Sequence, residues 1–439
     1  MYLIKSIIAL DIEILTNPRL WSSLVLLVPF LLAELPFYLF IIVASVKSML
    51  HMTFKPKSLQ SFFPMVSCIV CGYSEGAEIK RSLDSLLTQR YPGPIEVLLI
   101  IDGALANKTT YDAAKKYKKT YRNTPQRTLR IIPKHTRGGH ASSLNIGMKF
   151  ARGKYILTLD GDSSCDNDLL SSGMENFKNP DIVAISGAIR VRNAKKNLLT
   201  RLQAIEYLLS INLARQGLGY LNILNIISGA FGIYRTKFVR RMQGWKNGSA
   251  EDLDMTIRIQ AYFQRHQNLK LSHDSKAIIH TDAPETVKGL LKQRLRWDGD
   301  TYYIYCRRHW RTLRPKFLGW KLFFMLIWST LFLQIIMPLT ITLFTIYLFL
   351  QFSVSYVLSI LILIYIYYLL VSLVLYSLYL ILISERKTYD LSFMPLLGLM
   401  PFYQFIMRVW SGVAIIYEII LKTHKNSTMA PWWVIKKTH

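Results

Sequence analysis

The chain has 439 residues, 51% of them hydrophobic and only 18% charged, against about 25% charged in an ordinary soluble protein. Its 54 Lys and Arg against 27 Asp and Glu give a formal net charge of +27. This balance excludes an ordinary soluble protein, and because no recognition motif accompanies the basic charge it excludes a nucleic-acid partner.

In chain order, the first predicted element is an apolar segment at Trp21–Val46, interrupted by Glu34, Pro29 and Pro36 and followed by Lys47, Lys55 and Lys57. One crossing needs roughly 20 apolar residues, and the segment is too long and too basic at its end for a cleaved signal peptide. "MVSCIVCGYSE" then reads as a buried strand ending in a polar loop, and "AEIKRSLDSLLTQRY" as a helix with Ile79, Leu83, Leu86 and Leu87 on one face. "IEVLLIIDGA" is a second apolar strand, broken at Asp102-Gly103. The basic stretch 107–128 reads as a solvated helix face. "LRIIPK" is a third strand, "HASSLNIGMKFA" a helix, and "KYILTLDGDSS" a fourth strand ending in carboxylates. Strands alternating with helices imply a mostly parallel sheet with helices on both faces. Ligands of such sheets bind beyond the carboxyl ends of the strands, where Asp102 and Asp160 are expected. The four cysteines lack a second pair or nearby His ligands, so they read as reduced thiols.

After residue 190 the texture changes. "NLLTRLQAIEYLLSINLARQGLGYL" is an amphipathic helix suited to packing on the domain or lying on a bilayer. "IISGAFGIYR", 226–235, is a small-residue loop that would let a ligand approach the backbone, although tight strand–turn packing explains it equally well. In "NGSAEDLDMTIRI" a helix is expected from about Leu253, with Ser249 as its cap. "GLLKQRLRWDGD", 289–300, gathers Lys292, Gln293, Arg294, Arg296 and Trp297 shortly before Arg307, Arg308, Arg311, Arg314 and Lys316. From Leu322 to Ser384 there is no Asp, Glu, Lys or Arg, which predicts two crossings with a turn near Gln351–Ser355. Ser392–Leu421 is long enough to cross but holds Arg408, Glu418, Pro395 and Pro401, so it reads as a helix facing a bundle interior or an interfacial helix. Cations flanking the apolar segments place the polar middle region on the cytoplasmic side. The same charge attracts acidic lipid heads or an anionic substrate.

Several of these residues carry chemistry. Asp160-Gly161-Asp162 alone is ordinary turn composition, but after a parallel strand and beside Asp102 it suits Mg²⁺ or Mn²⁺ bridging to substrate phosphates. Glu251 and Asp252 are either dipole partners of a helix start or a general base for an acceptor hydroxyl. Arg is a fork of donors for phosphate, Trp offers a flat face to a sugar, and Gln bonds hydroxyls and carbonyls; Trp and Arg are also common membrane anchors.

The order "CGYSE", Asp102-Gly103, "LDGDS", "SGAFG", "EDLD", "QRLRW" resembles the processive, membrane-embedded family 2 glycosyltransferases, which include cellulose, chitin, hyaluronan and poly-N-acetylglucosamine synthases. The resemblance covers about residues 60–300. It implies an α/β GT-A domain inserted between transmembrane helices: 1–50 with a first membrane helix, 51–300 the cytoplasmic domain with an interface helix at 197–222, and 301–439 an interface helix and the C-terminal membrane region. It implies a plasma-membrane, multi-pass enzyme that polymerises a nucleotide-activated sugar, UDP-linked, onto a growing glycan acceptor in a β-linkage and passes the product through its own channel. By position, Tyr73, Glu75, Asp102 and His140 fall at the donor. Asp160 and Asp162 form the D-x-D element for the diphosphate and the metal, Mg²⁺ or Mn²⁺. Glu251 and Asp252 end the T-E-D motif, with Asp252 as the base. Gln293, Arg296 and Trp297 match Q-x-x-R-W at the acceptor and diphosphate. The sequence departs from the family pattern at Ser74 for Asn, Ile101 for Asp, His140 for Lys and Ala250 for Thr. The alternatives are a non-processive membrane glycosyltransferase with a lipid acceptor and a non-enzymatic export partner; the retained acids count against the latter. The residues name no accessory or homo-oligomeric subunit.

Overall fold

The computed structural model describes residues 34–54, 61–246 and 248–426, with 9–13, 16 and 32 nearer the N-terminus. Residues 21–31 and 33 of the expected first crossing lie outside the described residues. In chain order the elements are α1 (Leu35–Phe54), β1 (Val66–Gly72), α2 (Ile79–Leu87), β2 (Ile95–Ile101), α3 (Lys108–Thr120), β3 (Arg127–Pro133), α4 (His140–Phe150), β4 (Tyr155–Asp160), β5 (Ser164–Cys165), α5 (Leu169–Asn176), β6 (Ile182–Val191), α6 (Leu198–Tyr207), α7 (Ala214–Tyr220), β7 (Phe231–Arg235), α8 (Thr236–Arg241), α9 (Glu251–Phe263), β8 (Lys270–Thr281), α10 (Val287–Tyr302), α11 (Pro315–Leu326), α12 (Met337–Gln351), α13 (Val354–Leu382), α14 (Lys387–Leu391) and α15 (Met400–Leu421).

The eight strands form one sheet in the order β3-β2-β1-β4-β7-β6-β8-β5. β3, β2, β1 and β4 are mutually parallel. β1 and β2 are buried along their whole length, which is why they read as unbroken apolar runs. Alternate residues serve two cores: Cys68, Val70, Val97 and Leu99 face one, and Ile69, Cys71, Leu98 and Ile100 the other. α4 lies so close on β1 that a side chain at Gly147 would meet Ile69 Cγ2 at 2.4 Å. The sheet is more mixed than the sequence pattern predicts. β7 runs antiparallel between β4 and β6, because its residues enter directly from the 226–230 loop at the carboxyl end of β4 rather than through a crossover helix.

Among the described residues four helical segments are long and apolar enough to cross a membrane: Leu35–Phe54, Pro315–Gln351, Val354–Leu382 and Met394–Leu421. The charge-free run turns between Gln351 and Val354, inside the expected window. Arg408 faces the helix bundle, where it ion-pairs with buried Glu34 and donates to Tyr368 Oη at 2.9 Å, so a cation within an apolar span keeps a partner. The predicted amphipathic helix is α6 and α7 joined by a π-helical segment, Leu208–Leu213. It packs between the sheet and α1: Ser45 Oγ donates to the Leu213 carbonyl at 3.1 Å, and Gln216 Nε2 donates to Ser48 Oγ at 2.9 Å. This segment therefore packs on the domain and on α1.

The sheet and the membrane helices are tied through Asp390 of α14, which is fully buried. It ion-pairs with Arg190 at the end of β6 and accepts from Tyr379 Oη at 2.9 Å and Ser384 Oγ at 2.6 Å. Removing one partner of a buried pair strands the other charge. Asp390→Ala is therefore expected to destabilise the protein by about 3–5 kcal/mol, read as a clear fall in thermal midpoint in detergent. Asp282→Ala, which breaks the exposed Arg192–Asp282 pair, should cost under about 1 kcal/mol; equal losses would contradict the assignment.

Candidate active site

The site grows from the carboxyl ends of β1, β2 and β4. Register places Cys71 beside Asp160 and Gly72 beside Ile101, so the 73–76 loop, Asp102 and the Asp160–Asp162 turn emerge together. The turn is fixed from beneath, where Ser82 Oγ donates to the Gly161 carbonyl at 2.6 Å, and the Gly161 amide donates to the Cys71 carbonyl at 3.1 Å. Position 161 must be glycine, since a Cβ there would lie 2.8 Å from the Cys71 carbonyl oxygen and 2.9 Å from Glu75 Cδ. The Glu75 carboxyl thus rests on the turn between Asp160 and Asp162.

β7 brings the small-residue loop to the same rim. The Asp160 amide donates to the Ala230 carbonyl at 3.3 Å, and the Gly229 amide donates to Asp252 Oδ2 at 2.8 Å. The choice left open for this loop resolves as a backbone clasp on Asp252. α9 starts two residues earlier than expected, at Glu251, with Ala250 in the left-handed region at φ 55°. Ser249 is not its cap: its hydroxyl hydrogen-bonds Asp300. The early start puts Glu251 and Asp252 in the first helical turn, where the dipole favours negative charge.

His140, at the start of α4, joins the two halves. Its Nδ1 hydrogen-bonds the buried Glu251 carboxylate, and its Nε2 lies 3.3 Å from Asp160 Oδ1. Burial works against a charged imidazole, but Cys71, Glu251 and Asp160 outweigh it and raise His140 well above its ordinary pKa. Burial keeps the Cys71 thiol protonated, so the carboxylates are the charges that matter.

Asp102 is buried and satisfied from within the protein. It accepts from Lys134 Nζ at 2.5 Å and from the Gly138 and Gly139 amides at 2.9 Å each. It thereby shapes the 134–139 loop; Arg137 of that loop stacks 4.0 Å over the exposed Tyr73 ring. On the other side, α10 carries Gln293, Arg296 and Trp297 along α15, anchored by Trp410 Nε1 donating to the Leu291 carbonyl at 2.9 Å. Trp297 lies 6.5 Å from Tyr207 of α6 and under the Arg294 guanidinium at 4.7 Å. Gln293 Oε1 and Arg215 Nη1 are buried without a hydrogen-bond partner. Burial pushes Arg215 down to about 10, with Asp252 and Tyr207 acting in the opposite direction. Sequence reasoning missed Arg215 and Asp300. Asp300 was legible as the residue one helical turn after Arg296, whose charge acts on it; Arg215 had no local signal.

The donor end also fits a divalent cation. Burial and the nearby Asp162 and Asp160 raise Glu75 to about 7, and burial and Asp160 raise Asp162 to about 6. Glu75 Oε2 is buried without a partner. Among the described residues no group of three or more His, Cys, Asp or Glu side chains is placed to hold a metal ion by itself. An open set of carboxylates on one turn matches a cation whose remaining ligands are phosphate oxygens.

Asp252 is likewise raised to about 6, by burial and then by Glu251. Carboxylates raised above the unfolded value of about 4 stabilise the fold below that value and cease to do so as pH rises through the folded pKa. The thermal midpoint in EDTA should therefore fall from about pH 5 to about pH 8, and Asp162→Asn should flatten the fall. A flat or rising wild-type profile would contradict the crowding.

Residues 67–241 match the model for glycosyl transferase family 2, and residues 155–384 that for glycosyl transferase family group 2. The chain is 27% identical over 256 residues to the poly-beta-1,6-N-acetyl-D-glucosamine synthase of Staphylococcus epidermidis, covering 58% of each chain. It is 27% identical over 254 residues to that of Staphylococcus aureus strain COL, covering 57% of this chain and 58% of the relative. The chain thus spans under two thirds of the length of these curated relatives. A mannosyltransferase from Pyrobaculum calidifontis, solved in complex with GDP-Man and Mn²⁺, superposes with a TM-score of 0.55 over 88% of this chain and 99% of its own, at 16% identity, a likeness of fold. On these matches the chain belongs to glycosyl transferase family group 2 and is a glycosyltransferase with a GT-A-like fold.

Proposed function

We propose that the protein is a membrane-embedded, processive, inverting polysaccharide synthase that polymerises a UDP-linked sugar into a β-linked glycan. The observation that carries this reading is the position of Asp252. It sits on the first turn of α9, clasped by the Gly229 amide. It is joined to the donor turn through Glu251 and His140 on one side. On the other, Ser249, just before α9, hydrogen-bonds Asp300 of the helix that carries Trp297. Donor and acceptor positions thus flank one carboxylate. The likeness to poly-N-acetylglucosamine synthases supports a polymer product, and the apolar segments beside α10 support its passage across a bilayer. The catalytic unit is 51–300, on the cytoplasmic side of a plasma membrane.

In this reading Asp160 and Asp162, with Glu75 over their turn, would hold Mg²⁺ or Mn²⁺, which would supply positive charge to the donor diphosphate. Tyr73 and the loop shaped by Asp102 receive the uridine, so Asp102 acts through Gly138 and Gly139. His140 keeps Asp160 and Glu251 in register. Arg296 lies against the leaving diphosphate, while Gln293 and Trp297 frame the acceptor sugar. Asp252 takes the proton of the acceptor hydroxyl; that oxygen bonds to the anomeric carbon as the bond to the diphosphate breaks, and UDP leaves. In-line attack inverts an α-linked donor to a β-linkage.

Purified protein in nanodiscs, given single UDP-sugars and pairs with Mg²⁺ or Mn²⁺, should release UDP and form a high-mass glycan. Asp252→Asn should lower turnover about 10²–10⁴-fold with donor affinity little changed. Undiminished release in that variant would remove Asp252 as the base. A single-sugar lipid product would replace the polymer reading with a lipid glycosyltransferase.

A further inference from the structure

A second concave site lies away from the carboxylate rim. It is a cavity of about 400 Å³ between α8, α9 and the segment before α11, lined by Arg241, Gln243, Lys246, Arg258, Tyr262 and His309 among others. None of its described lining residues is acidic. Beneath it lies buried Asp254, facing two guanidinium groups, Arg258 Nε at 2.8 Å and Arg308 Nε at 3.1 Å, and the His309 imidazole, Nε2 at 2.8 Å. One carboxylate against these groups leaves surplus positive charge, to which exposed Arg241 and Lys246 add. Arg258 also donates to the Met242 and Gly244 carbonyls at 2.8 Å each, so the floor of the cavity is rigid. Asp252 and Asp254 are two residues apart on α9, about 200° around a helix; the cavity therefore lies on the face of α9 opposite the proposed base.

The surroundings of the cavity identify its occupant. His309 and Thr312 line it, and Trp310 between them is 51% exposed. Arg311 and Arg314 lie over the Trp310 ring at 5.2 and 5.8 Å. Gly319, at φ 73°, breaks the helix, and the exposed Trp320 and Phe324 follow as the apolar span to Gln351 begins. Exposed Trp interleaved with Arg at the start of an apolar span marks the headgroup level of a bilayer. We propose that this cavity binds the phosphate headgroup of an anionic lipid, with Arg241 and Lys246 as the principal contacts on the Asp254-anchored floor. Such a lipid would brace α9, the helix that carries Asp252. The proposal is independent of the nature of the donor and of the product.

The test is native mass spectrometry of the full chain released from mixed phosphatidylglycerol–phosphatidylcholine nanodiscs. Wild type should retain phosphatidylglycerol in preference to phosphatidylcholine. Retention should fall about fivefold for each cation removed in Arg241→Ala and Lys246→Ala. The control pair Lys115→Ala and Lys116→Ala, on the solvated face of α3, should behave as wild type. Excess inorganic phosphate should not displace the lipid. Equal retention by wild type and the Arg241→Ala/Lys246→Ala double variant would overturn the site, and full displacement by inorganic phosphate would reassign it to a soluble phosphate compound.

Discussion

The site depends on crowded negative charge. Glu75, Asp160, Asp162, Glu251 and Asp252 approach one rim from three chain segments; Glu251 is buried, Glu75, Asp160 and Asp252 are half-buried, and Asp162 is exposed. Desolvation first, and neighbouring like charge after it, drives the pKa of Glu75, Asp162 and Asp252 upward. The protein offsets the crowding with His140, which touches Asp160 and Glu251 together, with backbone amides at Gly229 and Leu253, and with the dipole of α9. The offset is incomplete at Glu75 and Asp162. The remaining imbalance is the physical case for a cation arriving with a diphosphate.

The rest of the architecture holds these groups together. Parallel β1, β2 and β4 bring two of the segments to one edge. Antiparallel β7 delivers the loop that clasps Asp252, so the strand that departs from the parallel pattern also positions the proposed base. α6 and α7 fill the space between the sheet and α1, while Glu206 accepts from Arg294 at 2.7 Å and from Tyr403 at 2.7 Å. This carboxylate fastens α10 to the last apolar segment, and the helix bearing Gln293, Arg296 and Trp297 is held between the sheet domain and the membrane helices.

Much of this was legible in the sequence. β1, β2 and β4 announced themselves as apolar runs because they are buried on both faces, while β3 at the sheet edge is mostly half-buried, and the charge-free run turns inside the expected 351–355 window. The acids Asp160, Asp162, Glu251 and Asp252 were legible by type and order. What escaped had long-range causes. The direction of β7 is set by a pairing that short apolar stretches do not encode. The α9 start was misplaced because Ser249, a good cap by type, is drawn to Asp300 some 50 residues on. Asp102 reads as a ligand residue at a strand end, yet three donors from the 134–139 loop occupy it. Arg215 looks like any cation of an amphipathic helix until the fold buries its Nη1.

The central claim is that the carboxylate rim is a donor site completed by a cation and a diphosphate. Electron paramagnetic resonance of Mn²⁺ with the purified protein tests it without requiring turnover. The account predicts weak Mn²⁺ binding alone, binding at least about tenfold tighter when UDP is present, equivalent to about 1.4 kcal/mol, and loss of that gain in Asp162→Asn. Mn²⁺ binding that ignores UDP, or that survives Asp162→Asn unchanged, would contradict it.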